Sequence, residues 1–177
     1  VITLIDGTLT VSPAPLTLRP GLQSKVYGAA DIALDATAFE VEGLRNADTV
    51  EGATAVSEGT AVTATPGTYS ILLSDPVGRG LENYDITFGE GILTVGNAPL
   101  TILATDQSKT YGDPGFALDP GAFTVIGLVN DDTVTGVGLA SDGEAATATV
   151  GAYEIVTGEL SGSGLEFYDI VTEPGTL

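Results

Sequence analysis

The chain has 177 residues and a formal net charge of −19, from 24 acidic and 5 basic side chains, and it contains no histidine and no cysteine. This charge opposes binding to nucleic acid or to anionic membranes, and it favours basic ligands or divalent cations. Without histidine and cysteine the commonest general base and the thiol nucleophile are missing, so the sequence predicts a protein that is not an enzyme. Because 43% of the residues are hydrophobic, we expect folded domains.

The sequence repeats itself at a fixed offset of 84 residues, so that Pro15 corresponds to Pro99. The same offset relates these pairs: Lys25 and Lys109, Tyr27 and Tyr111, Phe39 and Phe123, Asp48 and Asp132, Tyr69 and Tyr153, Tyr84 and Tyr168. Such self-similarity predicts tandem copies of one structural unit. We predict one β module at residues 14–96 and a second at 97–177 that lacks the last residues of its final strand. Residues 1–13 are predicted to be the tail strand or strands of a preceding repeat.

Each module is predicted to consist of seven to eight short strands separated by glycine-containing turns. In the first module we predict strands at residues 16–18, 24–28, 39–44, 60–65 and 67–71, a loop at 74–81, and a closing hairpin of 84–88 with 91–95. Residues 46–50 contain Asn and Asp, which favour either a turn or a single helical turn. The second module repeats this order.

A proline marks the junction at the start of each module, at Pro15 and at Pro99. Proline fixes its own φ angle and biases the preceding residue towards extended backbone. The sequence therefore predicts a stiff connection, with the modules arranged end to end.

Six motifs occur in the same order in both modules. They are A-P-L-T, S-K-x-Y-G, F-x-V-x-G-L-x-N-x-D-T-V-x-G, G-x-Y-x-I, Y-D-I and G-x-L-T-V, the last cut short at the end of the chain. Together they resemble the MBG domain (mostly β, glycine-rich) in its Tyr-Gly-containing type, over essentially the whole chain. The first copy departs from the family pattern at Ala29 and Ala30, where the family commonly has an aspartate after Tyr-Gly, as the second copy does at Asp113.

This resemblance implies a mostly β fold, either β-grasp-like or an immunoglobulin-like sandwich, with at most one short helical turn in each module. The G-x-Y-x-I motif is also similar to the tyrosine corner of immunoglobulin-like sandwiches, in which the phenol ties a strand to a nearby loop. The family occurs in tandem in large secreted or surface-attached bacterial proteins, often adhesins and filaments. It implies no catalytic residues.

Oxygen ligands for calcium are offered in the second module by Asp131, Asp132 and Asp113. The first copy has Ala47 in place of Asp131, and no D-x-D-x-D-G run is present. We therefore prefer solvated turns, with calcium as the alternative, and predict no other cofactor and no cofactor-binding residue.

Two lysines, Lys25 and Lys109, recur with a nearby asparagine in the sequence of each module, Asn46 or Asn130. With recurrent acids such a trio forms an isopeptide bond in some surface proteins. A salt bridge, or a lysine stem lying along apolar surface, is the preferred interpretation.

The aromatic residues divide into two classes. Those that recur in both copies, such as Tyr27, are assigned to the core. Those that occur once are candidates for exposed or inter-module contacts, and they are Phe88, Phe116 and Phe167.

We interpret the chain as a structural repeat segment, a stalk or filament, of a large extracellular bacterial surface protein or adhesin. It is expected to act in spacing, cell-surface attachment or fibre assembly. Expected partners are neighbouring repeats or other copies of the chain, with a host or matrix ligand at a tip outside this segment, and neither nucleic acid nor membrane insertion. The alternative is an adhesive module that recognises glycans or matrix protein. A further possibility is that residues 1–11 complete the second module of another copy by strand addition.

Overall fold

The computed structural model describes residues 7–30 and 32–177, and within them it consists of short β-strands and single-turn 3-10 helices, with no α-helix. The mostly β prediction is confirmed. In the described part of the chain, no helix is long and apolar enough to cross a membrane.

The elements of the first repeat are β1 (Ala14–Pro20), β2 (Gln23–Val26), β3 (Phe39–Glu42), β4 (Thr49–Val56), η1 (Glu58–Thr60), β5 (Gly67–Arg79), η2 (Leu81–Asn83), β6 (Tyr84–Phe88) and β7 (Gly91–Gly96). Those of the second are β8 (Ala98–Ala104), β9 (Phe123–Ile126), β10 (Thr133–Ala140), η3 (Asp142–Glu144), β11 (Glu154–Ser163), η4 (Leu165–Phe167), β12 (Tyr168–Glu173) and β13 (Gly175–Thr176).

The chain divides into two compact units. Among the described residues, the first unit comprises 7–24, 32–60 and 68–94, and the second comprises Lys25–Ala30, Ala61–Gly67 and Val95–Leu177. Two short segments of the first sequence repeat therefore belong to the second unit.

In the first unit, β1 is the middle strand of a three-stranded sheet of order β3-β1-β6. It runs antiparallel to β3, with Leu18 opposite Val41, and parallel to β6, with Leu16 opposite Ile86. Because side chains alternate along a strand, Leu16 and Leu18 share one face, and both are fully buried.

A second sheet, of order β2-β7-β5-β4, supplies the other half of this core. Ala53 of β4 and Leu73 of β5 belong to the same buried cluster as Leu16, Leu18 and Tyr84. Side chains of two sheets thus share one core, and no α-helix lies in the described residues. This arrangement favours the sandwich alternative over the β-grasp one.

The second unit has the corresponding sheets, β12-β8-β9 and β10-β11-β13. Its middle strand β8 runs parallel to β12, with Tyr168 opposite Ala98, and antiparallel to β9. Leu100 and Ile102 of β8 are buried, as is Ile155 of β11. The apolar alternation of the two repeats therefore produces the same three-stranded sheet twice. The other sheet of the second unit lacks a counterpart of β2, because residues 107–110 do not form a strand.

Two predictions near the end of the first repeat were wrong. The expected hairpin does not form, because β6 pairs with β1 while β7 lies in the other sheet. The expected loop at 74–81 is instead the continuation of β5 to Arg79. The glycine at position 78 is required by strand pairing and not by a turn, since a Cβ there would lie 1.9 Å from the Thr49 carbonyl oxygen. A Cβ at Gly162 would lie 1.9 Å from the Thr133 oxygen in the same way.

The predicted strand at 60–65 was also wrong, because Thr60 ends η1 and residues 61–65 follow it as a loop. The prediction of at most one helical turn per module needs correction as well. Residues 46–47 form a tight turn, with Asn46 in the left-handed region at φ 56°, and the helical turns lie elsewhere, two in each repeat. Asparagine tolerates this backbone conformation better than other non-glycine residues, which explains why the turn prevails there.

The predicted tail of a preceding repeat lies only partly in the described part of the chain. Residues 1–6 are outside it, and residues 7–13 are not assigned to a strand. Leu9 and Val11 are exposed. Strand donation by residues 1–11 stays a prediction, and deleting these residues while following fibre formation would test it.

Candidate functional site: a tyrosine and aspartate cluster

Two tyrosines of the second unit converge on one carboxylate oxygen. The Tyr27 hydroxyl donates to Asp132 Oδ2 at 2.9 Å, and the Tyr168 hydroxyl donates to the same oxygen at 2.8 Å. The two rings meet edge to face with centroids 5.8 Å apart, and the Phe167 ring lies 5.1 Å from that of Tyr27. Both tyrosines are buried. The phenols therefore satisfy a carboxylate that the surrounding rings partly remove from water.

The position of Asp132 depends on a glycine in the turn before β12. Gly164 has φ 71°, and a Cβ on it would lie 2.1 Å from Asp132 Oδ1. Tyr168 begins β12 and also contacts the backbone of Val129, whose N–H donates to the phenol oxygen at 3.0 Å and whose carbonyl oxygen lies 3.1 Å from it. One phenol thus ties the sheet edge to the turn that carries Asp132.

Tyr27 enters the cluster from a tight corner with Gly28. Gly28 has φ 70°, and a Cβ there would lie 2.1 Å from Val129 Cγ2, so this position requires glycine for both conformation and space. The turn is closed by the Ala29 N–H, which donates to the Val26 carbonyl at 3.2 Å. Nearby, the side-chain amide of Asn130 donates to the Val62 carbonyl at 3.1 Å. Both first-repeat segments of the second unit therefore contact the turn at 129–132.

The recurrent lysines donate to backbone carbonyls at the end of a 3-10 turn or just after it. Lys25 donates to the Ala61 carbonyl. Lys109 donates to the carbonyls of Glu144 and Ala145, at 2.8 and 2.6 Å, and lies 5.6 Å from the centre of the Phe116 ring. A cation at the carbonyl end of a helical turn is electrostatically favourable. The sequence did not indicate this role, because any residue can supply a backbone carbonyl and no particular side chain is needed at the acceptor position. The isopeptide bond stays a hypothesis.

The first unit contains the corresponding aspartate with a different set of contacts. The Tyr84 hydroxyl donates to Asp48 Oδ2 at 2.9 Å and contacts the backbone nitrogen and oxygen of Arg45 at 2.8 and 3.2 Å. Among the described residues, this is the one phenol that bonds to Asp48.

The second Tyr-Gly corner lies on the surface. Tyr111 is 64% exposed, so the assignment of recurrent tyrosines to the core was wrong for this residue. Beside it is a groove of about 180 Å³, lined among others by Lys109, Tyr111, Val150 and Tyr153. The Tyr153 hydroxyl donates to the Thr149 carbonyl at 3.0 Å, which confirms that the phenol of the G-x-Y-x-I motif ties its strand to a neighbouring loop.

The three calcium candidates lie in different local settings. Asp113 accepts a hydrogen bond from the Gly115 N–H at 3.1 Å, Asp131 has a left-handed backbone at φ 60°, and Asp132 belongs to the tyrosine cluster. Across residues 7–30 and 32–177, no group of three or more acidic side chains is placed to hold a metal ion. Calcium binding therefore stays a prediction, without a coordinating group in this part of the chain to support it.

High pH is expected to destabilise the second unit through these phenols. Burial, with a smaller contribution from Asp132, raises the pKa of Tyr168 from 10.0 to about 12, and burial also raises the pKa of Tyr27. Between these values the unfolded chain releases protons that the folded chain keeps, so stability is lost as the pH rises from about 10 towards 12. Urea unfolding at a series of pH values, with tyrosinate absorbance as a second readout, measures this loss. Tyr168→Phe should flatten the pH dependence, and an unchanged slope would contradict the assignment.

Comparison with known families agrees with the sequence motifs. A family model described as MBG domain (YGX type) matches residues 16–94 and again residues 100–177. No curated protein and no solved structure matches the chain. The two matched regions together cover most of the sequence, so the resemblance drawn from the motifs is confirmed.

Proposed function

Because the chain belongs to the MBG domain family, YGX type, and carries two copies of the domain in tandem, we propose that it is a structural segment of a large extracellular bacterial surface protein of adhesin type. In this proposal the repeats form a stalk or filament that spaces a binding tip from the cell surface, or that builds a surface fibre. The partners of the segment are neighbouring repeats and other copies of the chain.

The observation that best supports this role is the position of the strand that begins each repeat. β1 lies between β3 and β6, and β8 lies between β12 and β9, so each is hydrogen-bonded on both edges. Inter-strand hydrogen bonds run across the strand direction. A load applied along β1 or β8 must therefore shear bonds on both edges together, which suits a module that transmits tension.

The charge of the chain also favours a spacer. A net charge of −19 resists non-specific collapse onto anionic surfaces. An extracellular location is in keeping with these properties and with the family.

Pulling the chain from its two ends in single-molecule force spectroscopy tests the proposal. We expect two separate unfolding steps, each of which lengthens the chain by roughly 250 Å, the extended length of one repeat less its folded length. Extension without resolved steps would contradict a load-bearing role.

A ligand-binding adhesive module is the second candidate, and the groove beside Tyr111 and Tyr153 is the observation that favours it. Tyrosine rings at a groove are able to stack on sugar rings while their hydroxyls bond to them. A glycan array probed with the chain and with Tyr111→Ala separates the candidates. Selective binding that the substitution abolishes would favour the adhesive module, whereas no binding favours the spacer.

A further inference from the structure

The second unit shows how a Tyr-Gly corner is held. We call Tyr27–Ala29 the first corner, and Val129–Asp132 with Tyr168 the second acceptor. All of these residues belong to the second unit. Three contacts connect them there: the Tyr27 phenol bonds to Asp132, Gly28 packs against Val129, and the Asn130 amide bonds to Val62 near the corner.

An acceptor of the same construction lies open on the first unit. This first acceptor comprises Arg45–Asp48 with Tyr84. Asn46 has φ 56° where Asn130 has φ 55°, and Tyr84 bonds to Asp48 as Tyr168 does to Asp132. Arg45 and Asn46 are exposed, whereas their counterparts in the occupied second acceptor are partly buried. The first acceptor therefore shares the asparagine conformation and the tyrosine–aspartate bond of an occupied site, and it is more exposed. It differs from that site at Ala47, which lacks the left-handed backbone of Asp131 at φ 60°.

A corner of the same construction is open on the second unit. This second corner, Tyr111–Asp113, is closed by the Asp113 N–H, which donates to the Thr110 carbonyl at 3.2 Å, the distance found in the first corner. Gly112 has φ 83°, in the same left-handed region as Gly28. Tyr111 is 64% exposed, where Tyr27 is 5% exposed. The corner is thus preformed, and its phenol faces solvent.

The open corner and the open acceptor carry opposite charges where the joined pair is apolar. At the joined pair, the residue after the glycine is Ala29, and Val129 packs against the glycine itself. The corresponding residues of the open halves are Asp113 on the corner and Arg45 on the acceptor. Since Val129 touches Gly28, an arginine in its place would lie beside Gly112 and Asp113. The two differences between the repeats therefore complement each other.

We propose that the first acceptor binds the second corner of another copy of this chain, head to tail. In this docking the Tyr111 phenol bonds to Asp48, the Asn46 amide bonds to the Ala146 carbonyl as Asn130 does to Val62, and Asp113 pairs with Arg45. The contact joins two different surfaces, so a docked pair of chains leaves one corner and one acceptor open for further copies. Spacing needs no association between chains, so a monomeric chain would contradict the docking and leave the spacer role standing.

Reversing the charge of one residue on each side of the contact tests the docking. Sedimentation velocity of the full chain over a range of concentrations, at about 150 mM salt to screen the net charge, should show a sedimentation coefficient that rises with concentration. Arg45→Asp and Asp113→Arg each place like charges in contact, and each alone should weaken association at least about fivefold. An equimolar mixture of the two variants restores the opposite-charge pair and should recover association.

Leu72→Ser provides the control, since it removes an exposed apolar side chain outside the acceptor and the corner and should leave association unchanged. Both charge variants change exposed residues, and circular dichroism verifies that they fold. A wild-type coefficient that does not change with concentration would overturn the proposal. So would single variants that associate like the wild type, or a mixture that stays monomeric.

Discussion

Asp132→Ala is expected to destabilise the second unit by about 3 kcal/mol or more. The substitution leaves two buried phenols, those of Tyr27 and Tyr168, without their shared acceptor, and hydrogen bonds to charged groups contribute about 1.5–3 kcal/mol each. It also opens a space beside Gly164, which packs against the carboxylate. Hydrogen exchange resolved by peptide, with β8 reporting on the second unit, measures the change.

Asp48→Ala is the matched control in the first unit. Asp48 accepts from Tyr84, the one phenol that bonds to it among the described residues, so the expected cost is about half as large. Exchange should then increase in β1 and stay unchanged in β8. Equal losses in the two variants would contradict the shared role of the Asp132 oxygen.

Leu73→Ala is expected to destabilise the first unit by about 2–5 kcal/mol. Leu73 is 8% exposed and packs in the core with Leu16 and Leu18, so truncation leaves a cavity between the two sheets. Its neighbour Leu72 is 61% exposed on the opposite face of the same strand, and Leu72→Ala should cost less than about 0.5 kcal/mol.

Urea unfolding of the two leucine variants, followed by circular dichroism, provides the comparison. The pair changes identical side chains at adjacent positions, so strand propensity and the unfolded state contribute equally. Similar unfolding midpoints would mean that β5 does not separate a core face from a solvent face.

The strands that alternate cleanly were predictable from the sequence. β1, β3 and β6 fall where the periodicity places them, because alternation reports directly on one buried face. The pairing of β6 with β1 was not predictable, since parallel pairing across about 70 residues leaves no local pattern. The extension of β5 was missed because Gly78 marks a close approach of two backbones, and glycine in a sequence is read first as a turn.

The residues of the tyrosine and aspartate cluster could be recognised in the sequence, but the contacts between them could not. Tyr27, Asp132 and Tyr168 were all recognised as recurrent residues, yet nothing local joins Tyr27 to an aspartate 105 residues later. The useful signal came from a difference between the copies. Phe167 occurs in one repeat alone and was expected to make an exposed or inter-module contact, and its ring contacts Tyr27 of the other repeat.

A double-mutant cycle between Tyr27→Phe and Asp132→Ala tests most directly whether the Tyr-Gly corner is held by the aspartate of the second unit. The free energies of unfolding should show a coupling of about 1–2 kcal/mol, because either substitution breaks the same hydrogen bond. The matched cycle between Tyr111→Phe and Asp132→Ala, with a monomeric chain, should show none. Additivity within about 0.3 kcal/mol in the Tyr27 cycle would contradict the docking of this corner on Asp132.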